Sequence, residues 1–161
     1  MHKWIVALTG LAILAIVNFA IYKKEQVLAN GREVLLELAP VDPRSLMQGD
    51  YMALRFRLQR DVPISGNLRD GRVIVVVDAR NVATFLRLDD GSAPAPGEMK
   101  IFFRVRAGAV KLGTNAFFFQ EGEAAFYSGA RYGEVRVDHD GQILLTGLRD
   151  AELRKLGPNR P

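Results

Sequence analysis

Residues 4–22 at the amino end form one uninterrupted apolar stretch, WIVALTGLAILAIVNFAIY, in which only Thr9, Gly10 and Asn18 are mildly polar. A helix of this length covers about 28 Å, close to the ~30 Å hydrocarbon thickness of a bilayer. A helix buried in a soluble core is the weaker interpretation, because the stretch has no polar face to present to water. The pattern therefore predicts a single transmembrane helix, which residues 23–31 extend as a juxtamembrane helix or linker.

The residues that bracket this stretch suit the boundaries of a membrane. They are Trp4 and Tyr22 at its ends, and His2, Lys3, Lys23 and Lys24 outside it. A cleaved signal peptide is the alternative, with a cut after Ala29, although signal peptides have apolar regions of only about 7–15 residues. The positive-inside rule weakly favours a cytoplasmic body. Because an apolar segment that starts at residue 4 is typical of signal-anchors, we predict instead that the body is extracytoplasmic.

Beyond residue 31 the apolar positions mostly recur with a period of two, which is typical of β-strands. Strands are predicted at residues 33–38, 51–59, 72–78, 81–88, 100–108 and 115–120, followed by a hairpin over residues 133–148 with its turn at Asp140 and Gly141. The run 72–78 is apolar on both faces, which favours a central strand. Only residues 121–132 suit a helix, of about three turns.

Strands dominate this pattern, and no alternation of strand, helix and strand occurs. The predicted fold class is therefore mainly β, a mostly antiparallel small barrel or sandwich with one short helix, after a single amino-terminal transmembrane helix. The β domain occupies residues 32–150, and residues 151–161 form a flexible tail.

The charge balance narrows the class of partner. The chain carries 22 basic and 18 acidic residues, a net charge of +4. Lys3, Lys23 and Lys24 flank the apolar stretch, which leaves 19 basic residues against 18 acidic ones elsewhere. The excess lies at the membrane junction, where lipid headgroups are the natural partners. We therefore expect the lipid bilayer as a partner and no nucleic acid.

His139 is the one histidine of the body, and it lies between Asp138 and Asp140. Two carboxylates around an imidazole can hold a metal ion or orient a base. Alternate residues at a hairpin tip point apart, however, and no cysteine completes a transition-metal site. The interpretation is a plain turn, with no metal and no cofactor.

Ser45 provides the alternative of an anchored serine hydrolase. A serine before a Gly-Asp pair in a membrane-anchored β domain is similar to signal peptidases, which pair a serine with a lysine base. Lys100 is the candidate base, but it has no recognisable dyad context. No catalytic residue is therefore predicted.

Arginines alternate along two predicted strands, as Arg55 with Arg57 and as Arg104 with Arg106. If these strands are neighbours, the guanidinium groups form a patch that can bind carboxylates, phosphates or lipid headgroups. The alternative is a solvated outer face with acids opposite the arginines.

The stretch QGDYMALRF opens the predicted strand 51–59 with two poor strand formers, Gly49 and Asp50. Glycine adopts a positive φ readily, and the aspartate can accept hydrogen bonds from free backbone amides. The pair therefore predicts a sharp corner before the strand.

This stretch resembles the signature of the GDYxxLxY family of bacterial membrane-anchored proteins. Gly49, Asp50, Tyr51 and Leu54 match the pattern, and Phe56 stands where the pattern has tyrosine. Further segments that resemble the family are residues 40–46, 119–122 and 130–134. The resemblance covers most of residues 33–150 and implies work beside another membrane protein. It implies no activity.

Polar residues of these segments form the last candidate site. Our hypothesis is that the short helix folds over the corner and a carboxylate accepts a hydrogen bond from a tyrosine hydroxyl, since buried polar groups are usually paired. The candidate residues are Gly49, Asp50, Tyr51, Leu54, Phe56, Glu121, Tyr132, Gly133 and Glu134. Such a cluster is either a structural clasp, which we favour, or a ligand pocket. We expect a membrane-anchored binding or scaffolding domain.

Overall fold

The computed structural model describes residues 2–39, 47–48, 51–64 and 69–158. Ser45, Gly49 and Asp50 lie outside the described residues, and so does the predicted corner. The described helices and strands are, in chain order, α1 His2–Asn30, β1 Arg32–Glu37, β2 Met47–Gln48, β3 Tyr51–Ala53, α2 Leu58–Asp61, β4 Asp70–Val77, β5 Val82–Leu88, β6 Glu98–Arg106, β7 Ala109–Lys111, β8 Ala116–Phe118, α3 Ala124–Tyr127, β9 Tyr132–Val137 and β10 Ile143–Arg149.

One large sheet and one small sheet build the domain. The large sheet has seven strands in the order β10-β9-β1-β5-β4-β6-β7 and curls into a half-barrel. The small sheet has the order β2-β3-β8. β1 and β5 run parallel, and the other described neighbours run antiparallel. The predicted mainly β fold is confirmed, and β4 is central as predicted, with Val73, Ile74 and Val75 fully buried.

Helix α1 contains the whole apolar stretch and continues without a break through the juxtamembrane residues. Between Lys3 and Asn30 it is long and apolar enough to cross a membrane, and its most apolar window is not buried by the rest of the protein. The predicted long apolar helix is therefore confirmed.

Gly31 joins α1 directly to β1. Its N–H donates to the Val27 carbonyl at 2.9 Å, and its own carbonyl accepts a hydrogen bond from the Arg136 guanidinium at 3.0 Å. A Cβ at this position would collide with the Val27 oxygen and would lie 3.1 Å from Cβ of Arg136. A glycine is therefore required here, and the end of the helix is fixed to the sheet.

Residues 51–59 differ from their predicted strand. β3 ends at Ala53, and Leu58–Asp61 forms one helical turn, so the second half of the prediction is wrong. The Phe56 N–H donates to the side-chain oxygen of Gln59 at 2.9 Å, which closes this turn. The predicted apolar face is nonetheless buried throughout; its members are Met52, Leu54, Phe56 and Leu58.

The predicted three-turn helix over residues 121–132 is wrong in length. α3 is a single turn. Gly122 before it has a φ of +83°, which is outside the helical region, and Gly129 weakens any continuation after it. Tyr132 already pairs with Glu37 in the ladder between β9 and β1. The last residue of the expected helix is therefore the first residue of strand β9.

Two short features extend the sheet beyond the prediction. Ala107 and Gly108, both at positive φ, turn β6 back into β7. After β10 the chain turns again, and the Leu156 N–H donates to the Leu148 carbonyl at 2.8 Å. The first part of the expected tail therefore lies against β10.

Candidate functional site

The described signature residues anchor the small sheet to the core. Tyr51 lies opposite Phe118 in the ladder between β3 and β8, and their ring centroids are 5.7 Å apart. Leu54 and Phe56 are buried in the core. The signature therefore serves packing at Leu54 and Phe56, while Tyr51 remains half-buried beside an exposed ring.

The Phe56 ring packs against Gly133. The signature stretch and residues 130–134, both of which resemble the family, are therefore in contact. A Cβ on Gly133 would lie 2.7 Å from Cε1 of Phe56 and 3.2 Å from Cδ1 of Leu145. The ring fills the space above the glycine, so a larger residue at position 133 would displace it. This contact gives both residues a structural role.

Glu134 follows Gly133 in β9, and its side chain lies on the other face of the sheet from Phe56. It is the centre of a network of ion pairs and hydrogen bonds. Its carboxylate is buried and accepts hydrogen bonds from Arg149 at 2.8 Å and from the Thr146 hydroxyl at 3.1 Å. Arg149 also donates to Glu33 at 3.0 Å, and Glu33 lies 3.5 Å from a nitrogen of Arg136. We call these five residues the Glu134 network. It links β1, β9 and β10 through charge-assisted hydrogen bonds.

The other residues of the predicted clasp are spread around this network. Tyr132 is half-buried at the start of β9, and Glu121 is exposed in the turn before α3. In the described part of the chain, the Glu134 carboxylate bonds to a guanidinium and a hydroxyl of threonine rather than to a tyrosine. Because Asp50 lies outside the described residues, the clasp as a whole stays a prediction.

An aromatic groove lies beside the signature residues. Its volume is about 420 Å³, and its lining includes Phe117, Phe118, Phe119, Glu123, Tyr127 and Lys155. The Phe119 ring stacks on the Tyr127 ring at 5.3 Å, and the Phe117 ring meets it edge-on at 5.0 Å. Phe118, in contrast, is 73% exposed. Its ring faces solvent at the edge of a preformed aromatic wall.

Of the four predicted arginines, two form ion pairs with described residues and two do not. Arg57 pairs with Glu37 at 3.0 Å, and Arg106 pairs with Asp70 at 3.1 Å. Arg55 and Arg104 form no ion pair with any residue that the structure describes. Arg55 and Arg57 follow β3 of the small sheet, whereas Arg104 and Arg106 lie on β6 of the large sheet, so the two pairs do not lie on neighbouring strands.

Two further predicted residues, His139 and Lys100, have plain surroundings. His139 is exposed at the tip of the hairpin between β9 and β10, 3.4 Å from Asp140. Lys100 donates to both carboxylate oxygens of Asp89, at 2.9 and 3.0 Å, and this contact holds the pKa of the Asp89 carboxyl below its usual value. Over the described ranges, no group of three histidine or acidic side chains is placed to hold a metal ion.

Two residues of the candidate sites are not among those predicted from the sequence. They are Arg149, which belongs to the Glu134 network, and Lys111, which lines a second cavity beside α1. Arg149 ends the mostly apolar run of β10, and a charge that is partly buried in this way needs a partner. Lys111 follows the turn at Gly108 by three residues and gives no such signal, because its position depends on a hairpin that the pattern does not predict.

Comparison with known proteins identifies the chain. No curated protein matches it, and no solved structure matches it. The model of the family described as GDYXXLXY protein matches residues 13–148, from the middle of α1 to the end of β10. Since that match covers most of the sequence, the chain belongs to the GDYXXLXY protein family.

Proposed function

We propose that this protein is a single-pass, membrane-anchored binding or scaffolding domain of bacteria that holds another membrane protein in its aromatic groove. The observation that carries the proposal is Phe118, a large apolar side chain that is 73% exposed on the rim of that groove. Exposed aromatic residues beside a preformed pocket are typical of protein-binding surfaces. α1 supports the membrane location, because it is apolar on all sides and long enough to cross.

The chemistry of the groove favours a protein segment as its occupant. Phe117 and Phe119 each pack their rings against the Tyr127 ring, so the wall is already assembled without a bound partner. Glu123 and Lys155 place one acid and one base on the lining, which suits polar groups of a peptide. A preformed apolar wall with a few polar groups at its rim is the usual design of a hot spot.

Photo-crosslinking in intact membranes tests this proposal. A photoreactive phenylalanine analogue at position 118 is expected to form a covalent adduct with an integral membrane protein. The matched control places the same analogue at Leu86, which is 45% exposed on β5, and no adduct is expected there. Equal adducts at both positions, or adducts with lipid alone, would contradict a specific partner at the groove.

A substitution adds a quantitative test. Phe118→Ser should weaken co-purification of the crosslinked partner about tenfold or more, because one anchor ring contributes roughly 1.5–3 kcal/mol. Leu86→Ser should leave co-purification unchanged. The melting temperatures of both variants should match the parent, since both side chains are largely in solvent.

We also propose that the β domain lies outside the cytoplasm, with α1 acting as a signal-anchor. The chain has no cysteine, so a single introduced cysteine is a clean probe. Ala93→Cys, in the exposed loop between β5 and β6, should react with an impermeant maleimide added to intact spheroplasts. Lys3→Cys should react only after permeabilisation, and the reverse pattern would place the domain in the cytoplasm.

A further inference from the structure

A second cavity lies where the end of α1 approaches the two edges of the curled sheet. β10 is one edge and β7 the other, and the Phe102 N–H bridges part of the gap by donating to the Gly141 carbonyl at 2.8 Å. The remaining space is about 320 Å³, within the range of ligand pockets. We call it the seam cavity. Its polar lining consists of Lys24, Arg104, Lys111, Thr114 and Gln142.

No described acid forms an ion pair with the three cations of the seam cavity, Lys24, Arg104 and Lys111. Arg104 and Lys111 stand directly opposite each other on β6 and β7, an arrangement that destabilises a sheet. Asp70 is opposite Arg104 on the other side, but its carboxylate pairs with Arg106 at 3.1 Å. Within the described ranges, Lys24, Arg104 and Lys111 form no ion pair, and the cavity lining contains no acid. The cavity therefore suits an anion from outside the chain.

The position of Lys24 along α1 indicates the depth, relative to a bilayer, at which the cavity lies. Lys24 follows Tyr22, the end of the apolar stretch, by two residues, so it lies about 3 Å further along the helix axis. With α1 in a bilayer, this is the level of the phospholipid headgroups. The cavity is thus placed where phosphate groups of lipids are concentrated.

The rest of the lining distinguishes a lipid from a free phosphate. The lining also includes three consecutive apolar residues of β10, Ile143, Leu144 and Leu145. The Arg104 guanidinium lies 5.5 Å from the centre of the Phe102 ring, which holds the charge beside an aromatic surface. A ligand that carries both a phosphate and a hydrocarbon part satisfies both kinds of lining.

We propose that the seam cavity binds the phosphate of an anionic phospholipid headgroup, with Lys24, Arg104 and Lys111 as its cationic contacts and the leucines beside the glycerol. A zwitterionic headgroup brings its own cation toward these three charges and is disfavoured. The inference requires α1 to lie in a bilayer, and it is independent of whether the aromatic groove holds a protein.

Native mass spectrometry of the purified full-length chain in a neutral detergent tests this inference. The probes are phosphatidylglycerol and phosphatidylcholine with identical acyl chains. Phosphatidylglycerol should half-saturate the protein at a roughly tenfold lower concentration, and Arg104→Gln with Lys111→Gln should remove that preference. Equal binding of the two lipids to the parent chain would overturn the proposal.

Controls separate the seam cavity from general charge attraction. Arg57→Gln with Arg80→Gln removes the same charge from two exposed, ion-paired sites and should leave the preference intact. An equal loss in this control would overturn the proposal. Lys24→Gln should also weaken binding, and Lys24 is an exposed residue of α1 outside the sheet, so the test survives if the double variant misfolds.

A last arm identifies the source of the phosphate. Inorganic phosphate added at the same molar concentration as the lipid should not displace phosphatidylglycerol. Displacement would assign the cavity to a free anion and would overturn binding of a lipid.

Discussion

The Glu134 network and the seam cavity both gather basic side chains on the domain, but they differ in how those charges are met. In the network, Arg149 contacts both Glu134 and Glu33, and Arg136 lies beside Glu33. In the seam cavity, Arg104 and Lys111 face each other, and neither forms an ion pair with a described acid. Paired charges hold strands together, whereas unpaired charges remain available to a ligand. The same residue types thus hold strands together in one place and, as proposed, bind a ligand in the other.

The strongest test of this comparison removes the acid at the centre of the network. Glu134→Ala leaves the partly buried Arg149 guanidinium without its closest partner and should lower the free energy of unfolding by about 3 kcal/mol. Chemical unfolding of the full chain in detergent, followed by circular dichroism, measures the loss. Glu152→Ala is the control, because Glu152 is exposed and pairs with the exposed Arg154; a loss under ~0.5 kcal/mol is expected. Similar losses in both variants would remove the distinction between the network and ordinary surface charge.

A second change tests the inner face of the same strand. Gly133→Ala should cost about 2 kcal/mol of unfolding free energy, because the new methyl group collides with the Phe56 ring. Gly129→Ala is the control, since a Cβ there meets nothing within 4 Å and should be neutral or slightly stabilising. In a double-mutant cycle, Phe56→Leu should reduce the cost of Gly133→Ala. An additive result would show that the two residues do not constrain each other.

The pair of Asp89 and Lys100 extends the comparison to acid conditions. Contact with Lys100 holds the pKa of the Asp89 carboxyl below its usual value. The stability from this pair is therefore complete above the unfolded pKa of about 3.9 and is lost as the pH falls through the lower folded value. Asp89→Asn should cost about 1 kcal/mol at pH 7 and flatten the acid limb of a melting-temperature profile. Glu121→Gln, which removes an exposed carboxylate, should leave that profile unchanged.

The smallest effect is expected at the seam cavity. Lys111→Gln should leave the free energy of unfolding within about 0.5 kcal/mol of the parent, or raise it, because it removes a repulsion from Arg104. Thermal unfolding in the absence of added phospholipid measures this change. A loss above ~1 kcal/mol would show that Lys111 stabilises the fold and would erase the contrast with the Glu134 network.

The parts of this fold that the sequence predicts are those set by local periodicity. α1 follows from an apolar run with no polar face, and the strands follow from alternation. The burial of Met52, Leu54, Phe56 and Leu58 follows from the same alternation, even though only the first of them lies in a strand. A pattern of burial is therefore more robust than the secondary structure that accompanies it.

What the sequence does not predict depends on contacts between distant segments. The end of the expected helix at Tyr132 joins a ladder with β1, and no local signal records that partner. Arg149 reaches Glu134 only because a bulge between Leu145 and Gly147 shifts the register of β10. Lys24 and Arg104 meet in the seam cavity through the curl of the whole sheet. The candidate sites are thus assembled by topology rather than by motif.

The junction at Gly31 limits how the domain can move. The Gly31 N–H donates to the Val27 carbonyl, and the Gly31 carbonyl accepts a hydrogen bond from Arg136. No linker longer than this one residue separates α1 from β1. We therefore expect a tilt or an axial rotation of α1 to turn the β domain with it. A flexible tether would let the domain sample a hemisphere of positions, with a reach that grows with tether length. With α1 in a bilayer, as proposed, the domain keeps one height above the lipid, and the proposed partner must present its contact surface at that height.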